Sequence, residues 1–250
     1  MIKKQRGVTL IELLIGMMLG LALISGLSQL FVQSQSSFKL QRNLSDMTDD
    51  AVFVLNDLTK GLLLAGYAEN RAAGDFLTNY DVLNSGISFN GGEFIKGTDN
   101  ALIYRFKLDA SKSQENNSIC IVDSYNTNDI VPVYITYKSS DNLLSCKSKT
   151  ATLPMIVDVE KLVFRYGIHN KAAGTFFYTT ATNVDAIDQA TGKNNWQNVF
   201  VVKVDLVMRS ADDNLTKNKA KYKIEDTEYT ATDNRLYKVF SKTIFLRAAP

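Results

Sequence analysis

Polar and apolar positions divide this chain into three stretches of different period. Six residues, three of them basic (Lys3, Lys4 and Arg6), precede Gly7-Val8-Thr9-Leu10-Ile11-Glu12 and then twenty almost wholly apolar residues, Leu13 to Val32. Past Val32 the run gives way to Gln33-Ser34-Gln35-Ser36-Ser37, but apolar residues keep recurring every three or four positions. They are Leu40, Leu44, Met47, Ala51, Val54 or Leu55, Leu58, Leu62 and Ala65, with Lys39, Arg42, Asp46, Asp49, Asp50 and Asp57 between them. That spacing places one apolar stripe along a continuing helix.

No proline occurs before Pro132, and Gly61 and Gly66 are the first terminators, so a single helix is predicted from Val8 to about Ala65. At 1.5 Å per residue it is about 87 Å long, far more than a globular helix needs. From Ala68 the period changes, and Gly-, Asn- and Asp-rich segments punctuate short apolar runs. Strands are predicted at Ala101–Lys107, Ser118–Asp123, Val131–Tyr137, Ile156–Gly167, Phe176–Thr180, Val199–Met208, Lys221–Tyr229 and Leu236–Arg247. In Val199–Met208, Lys203 and Asp205 are expected on a wet face opposite Val202, Val204 and Leu206. The fold class is α+β, a long N-terminal helix packed on a mainly antiparallel β domain.

Twenty apolar residues span about 30 Å, the hydrocarbon thickness of a bilayer. The basic residues before them predict a cytoplasmic N-terminus, with the rest of the chain outside the cytoplasm. A small residue, Gly7, separates leader from apolar run, so cleavage there would leave the greasy segment on the mature chain. Glu12 lies in this segment, where a carboxylate costs roughly 2.5 to 3.5 kcal/mol. Cleavage after Gly7 would free an α-amino group on Val8 about 6 Å away along the axis, giving an ammonium and a carboxylate at one membrane depth, each able to pair with a neighbouring molecule. The alternative is an uncleaved signal anchor whose glutamate snorkels to the membrane edge. Gly16 and Gly20 have the small-xxx-small spacing that lets membrane helices approach, although glycines are frequent in such helices anyway.

Lys-Lys-Gln-Arg-Gly followed by Val-Thr-Leu-Ile-Glu-Leu-Leu-Ile resembles the N-terminal signature of type IV prepilins and the related pseudopilins. The resemblance implies that a prepilin peptidase cuts between Gly7 and Val8 and methylates Val8, and that Glu12 orders subunits in a helical filament. Val8 departs from the usual phenylalanine or methionine, and the membrane half lacks the proline of many major pilins, which favours a minor subunit. The runs Val159–Gly167, Val199–Ser210 and Tyr237–Arg247 resemble the C-terminal portion of minor pilins of the PilW type.

Charge and cysteines refine this picture. Removing Lys3, Lys4 and Arg6 from the 28 basic residues leaves 25 against 26 acidic ones, so direct binding of nucleic acid is not expected. Cys120 and Cys146 lie in the exported part and are expected to be bonded to each other, which would stabilise the domain by roughly 3 to 4 kcal/mol. Two buried free thiols are the alternative. Gly92-Glu-Phe-Ile-Lys-Gly97-Thr98 has the glycine interval of a phosphate loop without its lysine, and no nucleophile elbow or Cys-x-x-Cys pair occurs. His169 alone makes no zinc site and is expected at the surface. Asp212-Asp213-Asn214, and Asp123 with Asp129, show no ordered calcium loop. Tyr125, Tyr134 and Tyr137 beside Lys138 could line a glycan or single-stranded DNA surface, although strand aromatics more often pack cross-strand.

The chain thus divides into a leader (1–7), a transmembrane or filament-core helix (8–32), an amphipathic helix half (33–66) and an exported β-rich domain (67–250). No enzyme activity, cofactor or metal is expected. The expected role is that of a minor type IV pilin, anchored once in the inner membrane with its domain in the periplasm. It primes assembly at the base or tip of a pilus with other minor pilins, the major pilin and the inner-membrane machinery. The alternatives are a minor pseudopilin of a type II secretion system and a pilus-borne adhesin or DNA receptor.

Overall fold

A computed structural model describes residues 9–68, 80–81, 87–107, 119–121, 129–149, 151–170, 175–186 and 194–247. It opens with one helix, α1 (Leu10–Leu64), of 55 residues. Thr9 is its N-cap and Ala65 its C-cap, and Gly66 follows at φ 71°, a left-handed turn that glycine makes without strain. The helix continues through Gly61, expected as a terminator. There the absent side chain serves packing: an added Cβ would lie 2.7 Å from Cζ of Tyr104.

Thirteen strands follow among the described residues: β1 (Tyr80–Asp81), β2 (Ser88–Phe89), β3 (Ile95–Gly97), β4 (Ala101–Lys107), β5 (Ile130–Lys138), β6 (Leu143–Lys147), β7 (Thr152–Ile156), β8 (Val159–Asn170), β9 (Thr175–Thr179), β10 (Val199–Arg209), β11 (Lys221–Ile224), β12 (Thr227–Thr230) and β13 (Tyr237–Phe245). A five-stranded antiparallel sheet runs β3-β4-β5-β6-β7, and a four-stranded one runs β13-β10-β8-β9. A short helix, α2 (Ala181–Asp185), and a 3₁₀ turn (Trp196–Asn198) precede β10. The α+β class is the expected one.

Both sheets and the C-terminal half of α1 share one apolar core. Met47, Ala51, Val54, Leu58 and Leu62 enter it from the helix, Leu102, Tyr104 and Val133 from the larger sheet, and Phe164, Val204 and Leu206 from the smaller. Backbone N–H of Phe164 donates to Asp99 (2.8 Å) and the Tyr166 hydroxyl donates to the Thr98 carbonyl (2.9 Å), joining the sheets where they meet.

Several strands differ from expectation. Ile156–Gly167 is two strands in different sheets, because Asp158 sits at φ 58° and turns the chain, with its carbonyl accepting from the Arg209 amide (3.0 Å). Lys221–Tyr229 is a hairpin that turns at Glu225 (φ 53°) and Asp226. Ile119 and Cys120 form a turn, and the rest of the strand expected at Ser118–Asp123 lies outside the described residues. Asp205 is buried: its carboxylate accepts from the Ser241 hydroxyl and lies 3.3 Å from Lys203 Nζ. The outer face of β10 is wet for only part of its length, since β11–β12 folds over Val163 and Val207 and packs Ile224 against them.

Candidate functional site

The membrane-length part of α1 is bare. No residue from Leu10 to Arg42 is buried, and Leu10, Ile11, Leu13, Leu14, Leu19, Leu27 and Phe31 expose more than half their surface. Among the described residues one helix is long and apolar enough to cross a membrane, and none of its apolar window is covered by the protein. In water such exposure is unfavourable by about 25 cal/mol per Å². This surface therefore has to lie in lipid or against other apolar helices.

Glu12 lies in the first helical turn and is exposed among these apolar residues. Its backbone N–H donates to the Thr9 carbonyl (3.1 Å), and an anion there complements the positive end of the helix dipole. Gly16 and Gly20 lie one turn apart on the same bare face, and an added Cβ at either would meet nothing within 4 Å. Gly7 and Val8 lie outside the described residues.

From Asn43 onward the helix belongs to the domain. Asn43 Nδ2 donates to Asp212 Oδ2 (3.0 Å), and the Asp212 amide donates back to Asn43 Oδ1 (3.2 Å), closing a reciprocal pair at the first buried helical residue. Lys242 Nζ of β13 donates to Asn56 Oδ1 (3.0 Å). Asp57, read from sequence as a solvent-facing residue, is buried. Its Oδ1 accepts from the Ile119 amide (3.3 Å), and its Oδ2 lies 3.7 Å from Sγ of Cys120, which is disulfide-bonded to Cys146 with Cα atoms 5.6 Å apart. The disulfide thus fastens the turn that covers Asp57 to β6.

Leu40 and Leu44, expected on the buried stripe, are exposed, because burial of α1 begins only at Asn43 and Leu44 points away from the domain. Asn43, Asp57 and Gly61 went unnoticed as docking residues. Their signal was positional: Asn43 is one turn before Met47, and Asp57 lies between Val54 and Gly61 on the same stripe.

Among the described residues the remaining candidates form no metal or binding cluster. Asp212 is occupied by Asn43, and no group of three potential metal ligands occurs among the described residues. Asp123 and Tyr125 lie outside them. Tyr134 packs beside Phe89 and Ile103, whereas Tyr137 joins the main core, so these two rings lie on opposite faces of β5. The Tyr137 hydroxyl donates to the Glu160 carbonyl (2.5 Å), and burial pushes its pKa up to about 12. His169 falls near the end of β8. Of Gly92–Thr98, expected as a turn, only the start is one and Ile95–Gly97 is β3; the turn is closed by Asn90 N–H on Glu93 Oε2 (2.8 Å) and by buried Arg105, whose Nε donates to the Glu93 carbonyl (2.7 Å).

Two protein families match, at opposite ends of the chain. Residues 2–28 match the prokaryotic N-terminal methylation motif, and residues 126–248 match type IV pilus-assembly protein W, PilW. No curated protein matches. Among solved structures the chain is similar to a type IV-like pilin from Thermus thermophilus, at 11% identity over 81% of this chain and 98% of that one, with a TM-score of 0.44. A helix bare over one half and docked over the other is the build of a subunit that joins others, and the two family matches agree. The chain is thus similar to type IV pilin-like proteins, with the methylation motif at its N-terminal end and a likeness to PilW in its C-terminal half.

Proposed function

We propose that this chain is a minor type IV pilin that primes pilus assembly. In this reading residues 1–7 are a leader removed between Gly7 and Val8, and Val8 is methylated. Residues 8–32 anchor the chain in the inner membrane before assembly and enter the filament core afterwards. Residues 33–66 carry the helix onto a periplasmic domain, residues 67–250. Its partners are other minor pilins and the major pilin, at the base or tip of the pilus.

The observation that carries this reading is the bare apolar surface of α1 with Glu12 at its N-terminal end. Membrane helices associate through close packing and polar pairing, because lipid removes the hydrophobic difference between partners. Glu12 offers an acceptor for the α-amino group of a neighbouring Val8, and Gly16 and Gly20 allow backbones to approach.

Mass spectrometry of membrane-extracted protein should find a methylated Val8 as the first residue. Glu12→Val should insert and be processed as the parent is, since it removes the desolvation cost of the carboxylate, but should co-purify poorly with the other pilus subunits. An intact leader, or full co-purification and piliation with Glu12→Val, would contradict the reading. Co-purification with secretion-system subunits instead would assign the chain to the pseudopilin alternative.

A further inference from the structure

The outer face of the four-stranded sheet is finished at one end and unfinished at the other. At the finished end β11–β12 lies over Val163, Val207 and Val239, with Tyr222 stacked between Tyr229 and Tyr237 at 5.5 Å on each side. At the other end an aromatic row crosses the same face: Tyr178 and Phe176 of β9 at 4.9 Å, Phe176 and Phe200 at 5.2 Å, Phe200 and Phe245 at 6.5 Å. Phe176, Phe177, Tyr178 and Phe245 are 47%, 47%, 40% and 63% exposed. β9 is also the last strand of its sheet, and no other described strand pairs with its outer edge. Soluble proteins normally blunt such an edge with lysine, proline or a bulge, and Thr175–Thr179 has none of these.

We infer that this edge takes up an extended strand from another pilus subunit, with apolar or aromatic side chains on the face that meets Phe176 and Tyr178. The area decides the occupant. Phe176, Tyr178 and Phe245 leave roughly 300 Å² exposed on this face, Phe177 lying on the opposite one beside Ile168, and that is well under the 800 Å² per partner that a standard protein interface buries. That is too little for a second copy docked face to face and suits one added strand, whose backbone bonds supply the rest.

This inference rests on the chain being a pilus subunit, and the test separates the two. Phe176 is replaced by p-benzoylphenylalanine in the full chain, cells are irradiated, and recovery with pilus subunits is scored alongside the cross-linked peptide. The expected result is a cross-link to an extended segment of a different pilus subunit. Tyr178→Lys, a charge on the exposed edge, should lower its yield about tenfold while leaving the melting temperature unchanged. Normal recovery with no cross-link, or with cross-links only to lipid or to a second copy, overturns the strand-addition inference alone. Failure to recover the chain with any pilus subunit overturns both.

Discussion

The two halves of α1 have the same backbone and opposite surroundings. Leu10–Arg42 buries nothing, whereas between Asn43 and Leu62 nine residues are buried, among them an asparagine and an aspartate. From Leu10 to Val32 the first half is almost wholly apolar and carries one charge, Glu12, with Lys39 and Arg42 only near its end. The second alternates apolar and charged positions, and its polar residues make specific bonds. A helix apolar on every side has no preferred orientation toward water and can turn any face to lipid or to other helices. A striped helix bonded through Asn43, Asn56 and Asp57 is fixed in rotation against its domain. One half adapts to changing neighbours while the other keeps register.

Substitutions in the two halves should therefore separate domain stability from assembly. The largest difference is expected between Leu58→Ala and Leu19→Ala. Leu58 is fully buried, so its truncation should cost about 2 to 5 kcal/mol of domain stability, while Leu19→Ala leaves the domain's thermal unfolding in detergent unchanged. Equal effects would show that the bare half supports the fold. Next come the glycines: Gly61→Ala forces the Tyr104 ring to move and should cost about 1 to 3 kcal/mol, whereas Gly16→Ala, with open space around it, should leave melting unaltered. Asn43→Ala removes the reciprocal pair with Asp212 and should cost about 1 to 2 kcal/mol, raising hydrogen exchange in the turn just after residue 43.

The smallest effect is electrostatic. Partial burial, then Asp46, Asp49 and Asp158, raise the Asp50 pKa above that of an ordinary aspartate. The folded state then binds this proton more tightly than the unfolded chain. The stability it contributes is present below the ordinary aspartate pKa and is lost as pH rises through the raised value. Asp50→Asn should thus raise the melting temperature slightly at pH 7 and by a shrinking amount as pH falls toward 4. An increase that persists unchanged at pH 4 would assign the effect to something other than charge.

The halves also differ in how clearly sequence declared them. Uniform apolarity from Leu13 to Val32 reads without knowledge of any partner, because bilayer thickness sets the required length. The stripe from Met47 to Ala65 was equally plain. Asp57 was misread and Asn43 passed over because polarity in a helix defaults to solvent, and only the turn at Ile119 and the loop at Asp212, distant in sequence, give these residues a reason to be inside. In the domain, long strands such as β4 and β10 declare themselves by composition. Whether a run is one strand or two depends on a single left-handed residue such as Asp158 or Glu225, which propensity barely marks. The edge strand β9 was legible as a strand, but its open side depends on the order of strands in the sheet, a long-range property.

The reciprocal pair of Asn43 and Asp212 acquires a mechanical meaning from its place at the end of the docked half. Beyond it about 33 helical residues bury nothing, a lever of about 50 Å. Swinging that lever by 10° about Asn43 carries Glu12 through roughly 8 Å, more than one helical turn. The two hydrogen bonds at the fulcrum, with the buried residues behind them, thus help to set where the far carboxylate arrives. Slack at this hinge would be magnified along the arm into misplacement of Glu12.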